Sequence, residues 1–403
     1  MKNLPLLVLT HVLAASAVVP AMATDRFDKT QGAHCETKRW AHLERLEDSH
    51  EQMIQERFIP LVEHHDPEIR AGFGGSGSPR SSQLLLHYAS GWDEAKNPVP
   101  VMLLHGAGLS SNHCFADKPI EQPYRGLAAC LAGSGRAVFA VTFAHPQGDN
   151  FLQAEAVADA IARVRHVTGA KQVDLVAHSK GAMAARIYLS DAGASWMTRY
   201  RGDVRRYVML GAPNGGIDVA FAYPNLNYWI LENKSPAPLS WTRCLHWGKW
   251  KDFEHETIYS GTAFPGQAQM VARWDHRYGR TRAEGQWDID STYDGGKGQA
   301  STSLGIDRAI ADGGNLIERL RRKGVHPDVE LAFLAGTNPW IMNLIGERRG
   351  PSDGLLLVAS AFDTEPLTRR GARVIRKDLR YLNHLQLVYH PRANNWVLEV
   401  LEQ

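Results

Sequence analysis

Four cysteines in 403 residues are few, and none stands in the C-x-x-C spacing of a zinc site. A surplus of one charge sign is missing too: 45 Lys and Arg against 43 Asp and Glu leave a formal net charge of +2. Such a chain has no global field to gather nucleic acid or an acidic membrane, so no nucleic-acid partner is expected. Internal repeats and low-complexity tracts are absent. The only long apolar run lies at the very N-terminus, so no integral membrane segment is expected in the mature chain. What is present is ordinary globular material: 44% hydrophobic and 22% charged residues, with 36 Gly and 20 Pro. The length suits one large α/β domain with an insertion, or two domains.

Met1 to Ala23 has a charged start at Lys2, an apolar middle through Leu4-Pro5-Leu6-Leu7-Val8-Leu9, and a small-x-small end at Ala21-Met22-Ala23. That is the pattern of a secretory signal peptide cleaved near Ala23. An uncleaved anchor is the alternative, and Pro5, His11 and Pro20 interrupt the run it would need. The expected location is therefore extracellular or periplasmic. In that oxidising compartment Cys35, Cys114, Cys130 and Cys244 are expected to form two disulfides, in one of three connectivities.

Glu36 to about His65 spaces Trp40, Leu43, Leu46, Met53, Ile54, Phe58, Leu61 and Val62 like a helix broken once. Residues 24–80 thus read as a helical extension ending in the glycine-rich connection Gly72–Pro79, before a main domain at 81–403. From there short apolar runs alternate with amphipathic ones. Strands are expected at Val99–Leu104, Ala137–Phe143, Gln172–Ala177 and Arg206–Leu210, with helices at Pro123–Ala132, Leu152–Val167 and Gly181–Leu189. Alternation of this kind means crossover connections and a mostly parallel sheet flanked by helices, an α/β fold. The rhythm stops near Asn214 and returns at Val329–Ala335, Gly354–Ala359 and Ala372–Arg376. The interval 214–328 holds six of the eleven Trp and reads as an insertion over the sheet's functional edge.

The most informative segment is Val173-Asp174-Leu175-Val176-Ala177-His178-Ser179-Lys180-Gly181-Ala182. An apolar strand runs into Ala-x-Ser-x-Gly and straight on into a helix of small residues. A sharp strand-to-helix turn brings the positions two before and two after the serine together, so only small residues fit there. The serine hydroxyl then stands at a helix N-terminus, where developing negative charge is stabilised. An ordinary turn with a serine N-cap is the plainer alternative.

On this elbow the chain resembles the α/β-hydrolase family, and within it the secreted bacterial lipases, some of which carry Ala for the first Gly of Gly-x-Ser-x-Gly. The resemblance runs from about Pro100 to the C-terminus, leaving out the insertion, and implies a serine nucleophile at Ser179. Lys180 departs from the apolar residue usual after the nucleophile. Val101-Met102-Leu103-Leu104-His105-Gly106-Ala107-Gly108 matches the family's oxyanion loop, which implies the N–H groups of Ala107 and Lys180 as the two donors. The family order Ser, acid, His leaves Asp353, in Pro351-Ser352-Asp353-Gly354-Leu355, as the acid, with Asp363 as competitor. His384, in Leu382-Asn383-His384-Leu385, is the base implied by the Asn-His-Leu pattern, with His390 as the other candidate. Leu210-Gly211-Ala212-Pro213 resembles a segment of the active-site wall.

The implied chemistry is cleavage of a carboxylic ester, a lipase or esterase reaction through an acyl-enzyme. It requires no cofactor, and no metal is assigned. Asp288–Asp294 alternates aspartates, but its spacing is not that of an EF-hand loop, and a solvated acidic loop is expected. The expected partner is an ester or lipid, met at an oil–water interface if the insertion opens there. A polyester depolymerase of the polyhydroxyalkanoate type, an acyltransferase and a non-catalytic binding protein on the same scaffold remain as alternatives. The insertion holds fourteen of the chain's 35 Trp, Tyr and Phe, and its segment Phe221–Leu231, with Tyr228 and Trp229, is expected to bind the acyl chain.

Overall fold

The computed structural model describes residues 37, 39–116, 125–280, 287–341 and 344–403. The leader segment Met1–Ala23 and Cys35 lie outside them. Eight strands form the main sheet: β1 (His42–Glu47), β2 (Gln83–Tyr88), β3 (Val101–Leu104), β4 (Val138–Phe143), β5 (Val173–His178), β6 (Val204–Leu210), β7 (Glu330–Gly336) and β8 (Arg373–Arg380). Their spatial order is β1-β2-β4-β3-β5-β6-β7-β8. Only β2 runs against its neighbours, pairing antiparallel with both β1 and β4. The remaining pairings, from β4 to β8, are parallel.

Helices α1 (Leu127–Gly133), α2 (Asn150–Thr168) and α3 (Lys180–Leu189) follow β3, β4 and β5; α4 (Pro224–Glu232) lies in the insertion, α5 (Leu316–Lys323) precedes β7, and α6 (Pro391–Glu402) closes the chain. Side chains alternate across each strand, and the two faces are covered by different helices. Met102 and Leu104 of β3 face the side where Ala156, Val157 and Ile161 of α2 and Ala185 of α3 pack. Val101 and Leu103 face the other side, toward Leu127 and Leu131 of α1 and Trp396 and Val397 of α6. With both faces buried, the central strands read as continuous apolar runs rather than alternating ones. This is the α/β sheet with helices on both sides that the sequence implies.

Three expectations fail. The stretch 36–65 is not a helix: its described part forms β1, whose six residues pair with β2 at the sheet edge. Leu43 and Leu46 sit three apart, as on a helix face, yet both are buried in a strand whose Glu44 is also buried. Glu44 accepts hydrogen bonds from Tyr88 and Arg163, 44 and 119 residues away, and such partners leave no trace in local periodicity. Gly354–Ala359 is not a strand either; a loop through Leu357 leads into a short helix, Val358–Ala361. The expected pairing is not seen among the described residues, where Cys114, Cys130 and Cys244 are free thiols. Cys114 is buried under the sheet and Cys244 in the separate core of the insertion.

The insertion builds its own small cores, around Phe221, Tyr259 and Tyr293 and around Ile230, Trp241 and Phe253. A four-stranded sheet (Lys249–Asp252, Trp241–His246, Ser301–Ser303, Gly296–Lys297) stiffens it. The last part of 214–328 has another role. In α5, Leu316, Ile317 and Leu320 pack on Ala154 of α2 and on Met183 and Ile187 of α3. A parallel pair such as β6 and β7 needs a crossover, and α5 is its helix.

Candidate active site

The site is built where β5 turns into α3. Ser179 holds the turn at φ 51° and ψ −125°, a conformation that costs an L-residue about 1–3 kcal/mol and persists only where packing enforces it. The enforcement is visible at Gly181, where a Cβ would lie 2.4 Å from the His105 carbonyl oxygen and 2.9 Å from that of Leu104. Gly106 is equally constrained: a Cβ there would stand 2.8 Å from His178 Nδ1 and 3.0 Å from the Ser179 Cβ. Backbones from three strand ends therefore converge around one serine. Ser179 N–H donates to the Leu210 carbonyl at 3.0 Å, tying the elbow to β6.

Ala107 and Ser179 line the same cavity of about 140 Å³ as Gly211, Pro213 and His384. Lys180 is the first residue of α3, so its N–H is one of the four without an acceptor inside the helix. His384 Nδ1 lies 2.7 Å from Asp353 Oδ2, and both side chains are nearly fully buried. Asp353 is fixed through its other oxygen, which accepts from Leu355 N–H at 3.1 Å and Leu356 N–H at 2.8 Å. The His384 N–H donates to the Asp353 carbonyl at 2.9 Å, so the two residues are also joined through their backbones. Gly211, at φ 57°, leaves the room: a Cβ would sit 3.1 Å from His384 Nδ1 and 3.2 Å from Asp353 Oδ2.

The competitors are engaged elsewhere. Asp363 accepts from the Arg321 guanidinium at 2.8 Å. His390 caps α6, accepting from Arg392 N–H at 3.1 Å. His105 braces the loop: its Nε2 accepts from Phe143 N–H at 3.2 Å and its Nδ1 donates to the Gly106 carbonyl at 2.8 Å. Burial lowers its pKa to about 3, so it stays neutral in that tautomer. Sequence reasoning missed the work of His178, whose Nε2 donates to the His384 carbonyl at 3.1 Å while its ring lies 4.7 Å from the His384 ring. Burial pushes its pKa well below the ordinary imidazole range, which keeps a second charge away from His384. Its position next to the serine was the available signal.

The Lys180 side chain is buried behind the elbow. Its Nζ donates to Gln153 Oε1 at 2.5 Å. Burial pulls the Lys180 pKa down and the nearby Glu56 pKa up, and each charge partly offsets the other's shift. Glu56 comes from the N-terminal segment and accepts from Asp149 N–H at 2.6 Å and Ser81 Oγ at 2.8 Å.

A second, larger cavity of about 270 Å³ adjoins the first; the two share Ile217, Gln267, Leu355 and Leu385 as walls. The segment Phe221–Leu231 supplies six lining residues, among them Phe221, Tyr223, Leu226 and Trp229. Tyr228 is not among them, which corrects its assignment to the substrate surface. Neighbours on a helix point about 100° apart, and Tyr228 turns toward Trp241, with ring centroids 4.8 Å apart. Trp241 and Trp274 are core residues whose indole N–H groups donate to Thr292 and to the Gly216 carbonyl.

The insertion is clamped to the acid-bearing loop by buried charge. Arg349 contacts Asp218 and Glu347, and the side chains of all three are 1% exposed. The expected acidic loop Asp288–Asp294 is instead a short helix, Ile289–Asp294, preceded by Asp288, which accepts from Gln299 and Ala300 N–H groups. Asp294 pairs with Arg280 and Arg273.

Residues 98–225 match the family model Lipase (class 2). The matched segment, under half of the chain, is similar to class 2 lipases and contains both the loop at Ala107 and the elbow at Ser179. No curated protein matches the chain. Among solved structures it is similar to a lipase of Bacillus licheniformis in its mature form, at 14% identity and a TM-score of 0.41 over 76% of this chain and 94% of that one. It is also similar to a carboxylesterase of Bacillus subtilis, at 14% identity and a TM-score of 0.38 over 79% of this chain and 87% of that one. At such scores the likeness says nothing about substrate.

Proposed function

We propose that the protein is a secreted serine hydrolase that cleaves carboxylic esters through an acyl-enzyme. The observation that carries this reading is the buried His384–Asp353 contact at 2.7 Å, with His384 lining one cavity with the strained Ser179. In this reading Ser179 Oγ attacks the ester carbonyl and His384 Nε2 accepts its proton, later passing it to the leaving alcohol. Asp353 holds Nδ1–H and stabilises the imidazolium. The N–H groups of Ala107 and Lys180 receive the developing oxyanion. Water then releases the acid. Export rests on the N-terminal sequence pattern alone.

The adjoining cavity, lined by Phe221, Leu226, Trp229 and Ile230, offers apolar surface suited to an acyl chain. Offering short- and long-chain p-nitrophenyl esters tests the reading. Turnover of both is expected, with the long-chain rate rising once substrate passes its solubility limit if the insertion opens at an interface. No turnover of any ester would refute it.

A further inference from the structure

The insertion carries a hairpin whose tip neither the ester chemistry nor the core requires. Strands Trp241–His246 and Lys249–Asp252 pair antiparallel, with His246 opposite Lys249, so Trp247 and Gly248 alone make the turn. Both hold positive φ, 51° and 75°. A two-residue turn of this kind favours Asn-Gly, because a bulky side chain is strained in the left-handed region. Here the first place is taken by tryptophan, and Trp247 is 82% exposed. Its indole N–H donates to Glu232 at 2.9 Å, while the ring stands in solvent. Burial is not what keeps it there.

Behind the tip, Leu245 and Trp250 face each other across the two strands and are 37% and 40% exposed, while their neighbour Cys244 turns into the core beneath. The Arg243 guanidinium lies 5.0 Å from the Trp250 ring centre. Lys249, Lys251 and Lys297 are exposed, and none pairs with a carboxylate among the described residues. Two carboxylates stand close by. Asp252 is met by Arg243 at 3.3 Å, and Glu232 is engaged by His246 and Trp247. The patch is thus apolar with free cations beside it, a local excess in a chain whose net charge is only +2.

We propose that this hairpin docks the protein on a bilayer surface rich in anionic phospholipid. Tryptophan suits the boundary between water and acyl chains, where its ring leaves water and its N–H keeps a polar partner. Lysines beside it meet the negative headgroups. Lysine on an edge strand such as Lys249–Asp252 also discourages pairing with another chain, but that purpose calls for no tryptophan between Lys249 and Lys251. The placement gives the docking a consequence. Tyr228 Oη donates to the Leu245 carbonyl at 3.4 Å and Glu232 holds the tip, so the hairpin is attached to α4, whose Trp229 and Ile230 line the larger cavity. Seating the hairpin brings that helix to the lipid. The docking surface itself does not depend on the ester reaction.

The test is sedimentation of the protein with vesicles of phosphatidylcholine alone or of phosphatidylcholine mixed with phosphatidylglycerol, at low and high salt. Every chain carries Ser179→Ala, so that no ester bond of the vesicle is cut and the outcome is independent of the proposed reaction. Binding to the mixed vesicles, weakened by salt and much weaker on phosphatidylcholine, is expected. Lys249→Gln and Lys251→Gln should each weaken it about fivefold. Trp247→Asn, which suits the turn, should weaken it by about tenfold at an unchanged unfolding midpoint. Absence of binding to the mixed vesicles would overturn the proposal, as would equal binding to both compositions or equal binding by all variants. A dimer that forms without lipid and is lost in Trp247→Asn, with no vesicle binding, would overturn it in favour of a second copy of this chain.

Discussion

The elbow and the insertion are held in place by different physics. Around Ser179 the constraint is steric: Gly106, Gly181 and Gly211, each in its own short motif, let distant parts of the chain come within contact distance, and buried histidines stay neutral. The insertion is held by charge across long stretches of chain: Arg349 reaches Asp218, 131 residues away, and both are buried. Steric demands leave small residues at fixed offsets, and a buried ion pair leaves no local pattern at all. The comparison predicts that the two regions fail in different ways when disturbed.

The largest expected effect is on the chemistry of the elbow. Ser179→Ala and His384→Ala should each lower kcat by about 10³–10⁶, and the double variant should lose no more than either alone. Asp353→Asn should lose somewhat less. Steady-state kinetics on a p-nitrophenyl ester measure all four, and a wild-type kcat in Ser179→Ala would end the account.

Next is the clamp. Arg349→Ala leaves Asp218 and Glu347 buried without their cation, and should cost about 3–5 kcal/mol of stability. Urea unfolding reads the loss. A change below about 1 kcal/mol would show that the insertion is held by its apolar cores instead.

Acid should strike the other region. Burial lowers the pKa of His64 and His145 to about 4 and that of His105 to about 3. Each folded-state value lies below the unfolded value of about 6.5, so the stabilisation is complete above that pH and is lost as pH falls toward the folded values. At pH 5 the loss is about 2 kcal/mol per histidine. Urea midpoints at pH 7 and pH 5 should therefore differ strongly, and coincident midpoints would contradict the burial of these rings as neutral bases.

The smallest effect sharpens the role of the insertion. Trp229→Ala should weaken long-chain turnover by about tenfold while an acetate ester is little affected, since the lost contact matters only when a chain fills the cavity. Equal loss on both esters would make Trp229 a core residue.

These contrasts follow what the sequence could show. Strands β3 to β7 are apolar on both faces, so their runs stand out at Val101–Leu104 and Val173–His178 without any partner being known. Ser179, Asp353 and His384 can be singled out in the sequence because each stands in a short motif, and the structure brings Asp353 and His384 within 2.7 Å of each other. The edge strand β1 was misread as helix because Leu43, Leu46 and the buried Glu44 are arranged by α2 and β2 rather than by a repeat of two. Tyr228 was assigned to the substrate because composition does not say which way a helix faces. Arg349 was invisible, as one arginine among many until Asp218 is placed beside it.

The central claim is that Ser179 is a nucleophile activated by the His384–Asp353 pair, and covalent trapping tests it most directly. The protein is treated with a serine-reactive phosphonate, digested, and mapped by mass spectrometry, beside Ser179→Ala and His384→Ala. A single adduct on Ser179, absent from Ser179→Ala and formed far more slowly in His384→Ala, is the predicted result. An adduct on another serine, or labelling of Ser179 at the same rate without His384, would contradict the account.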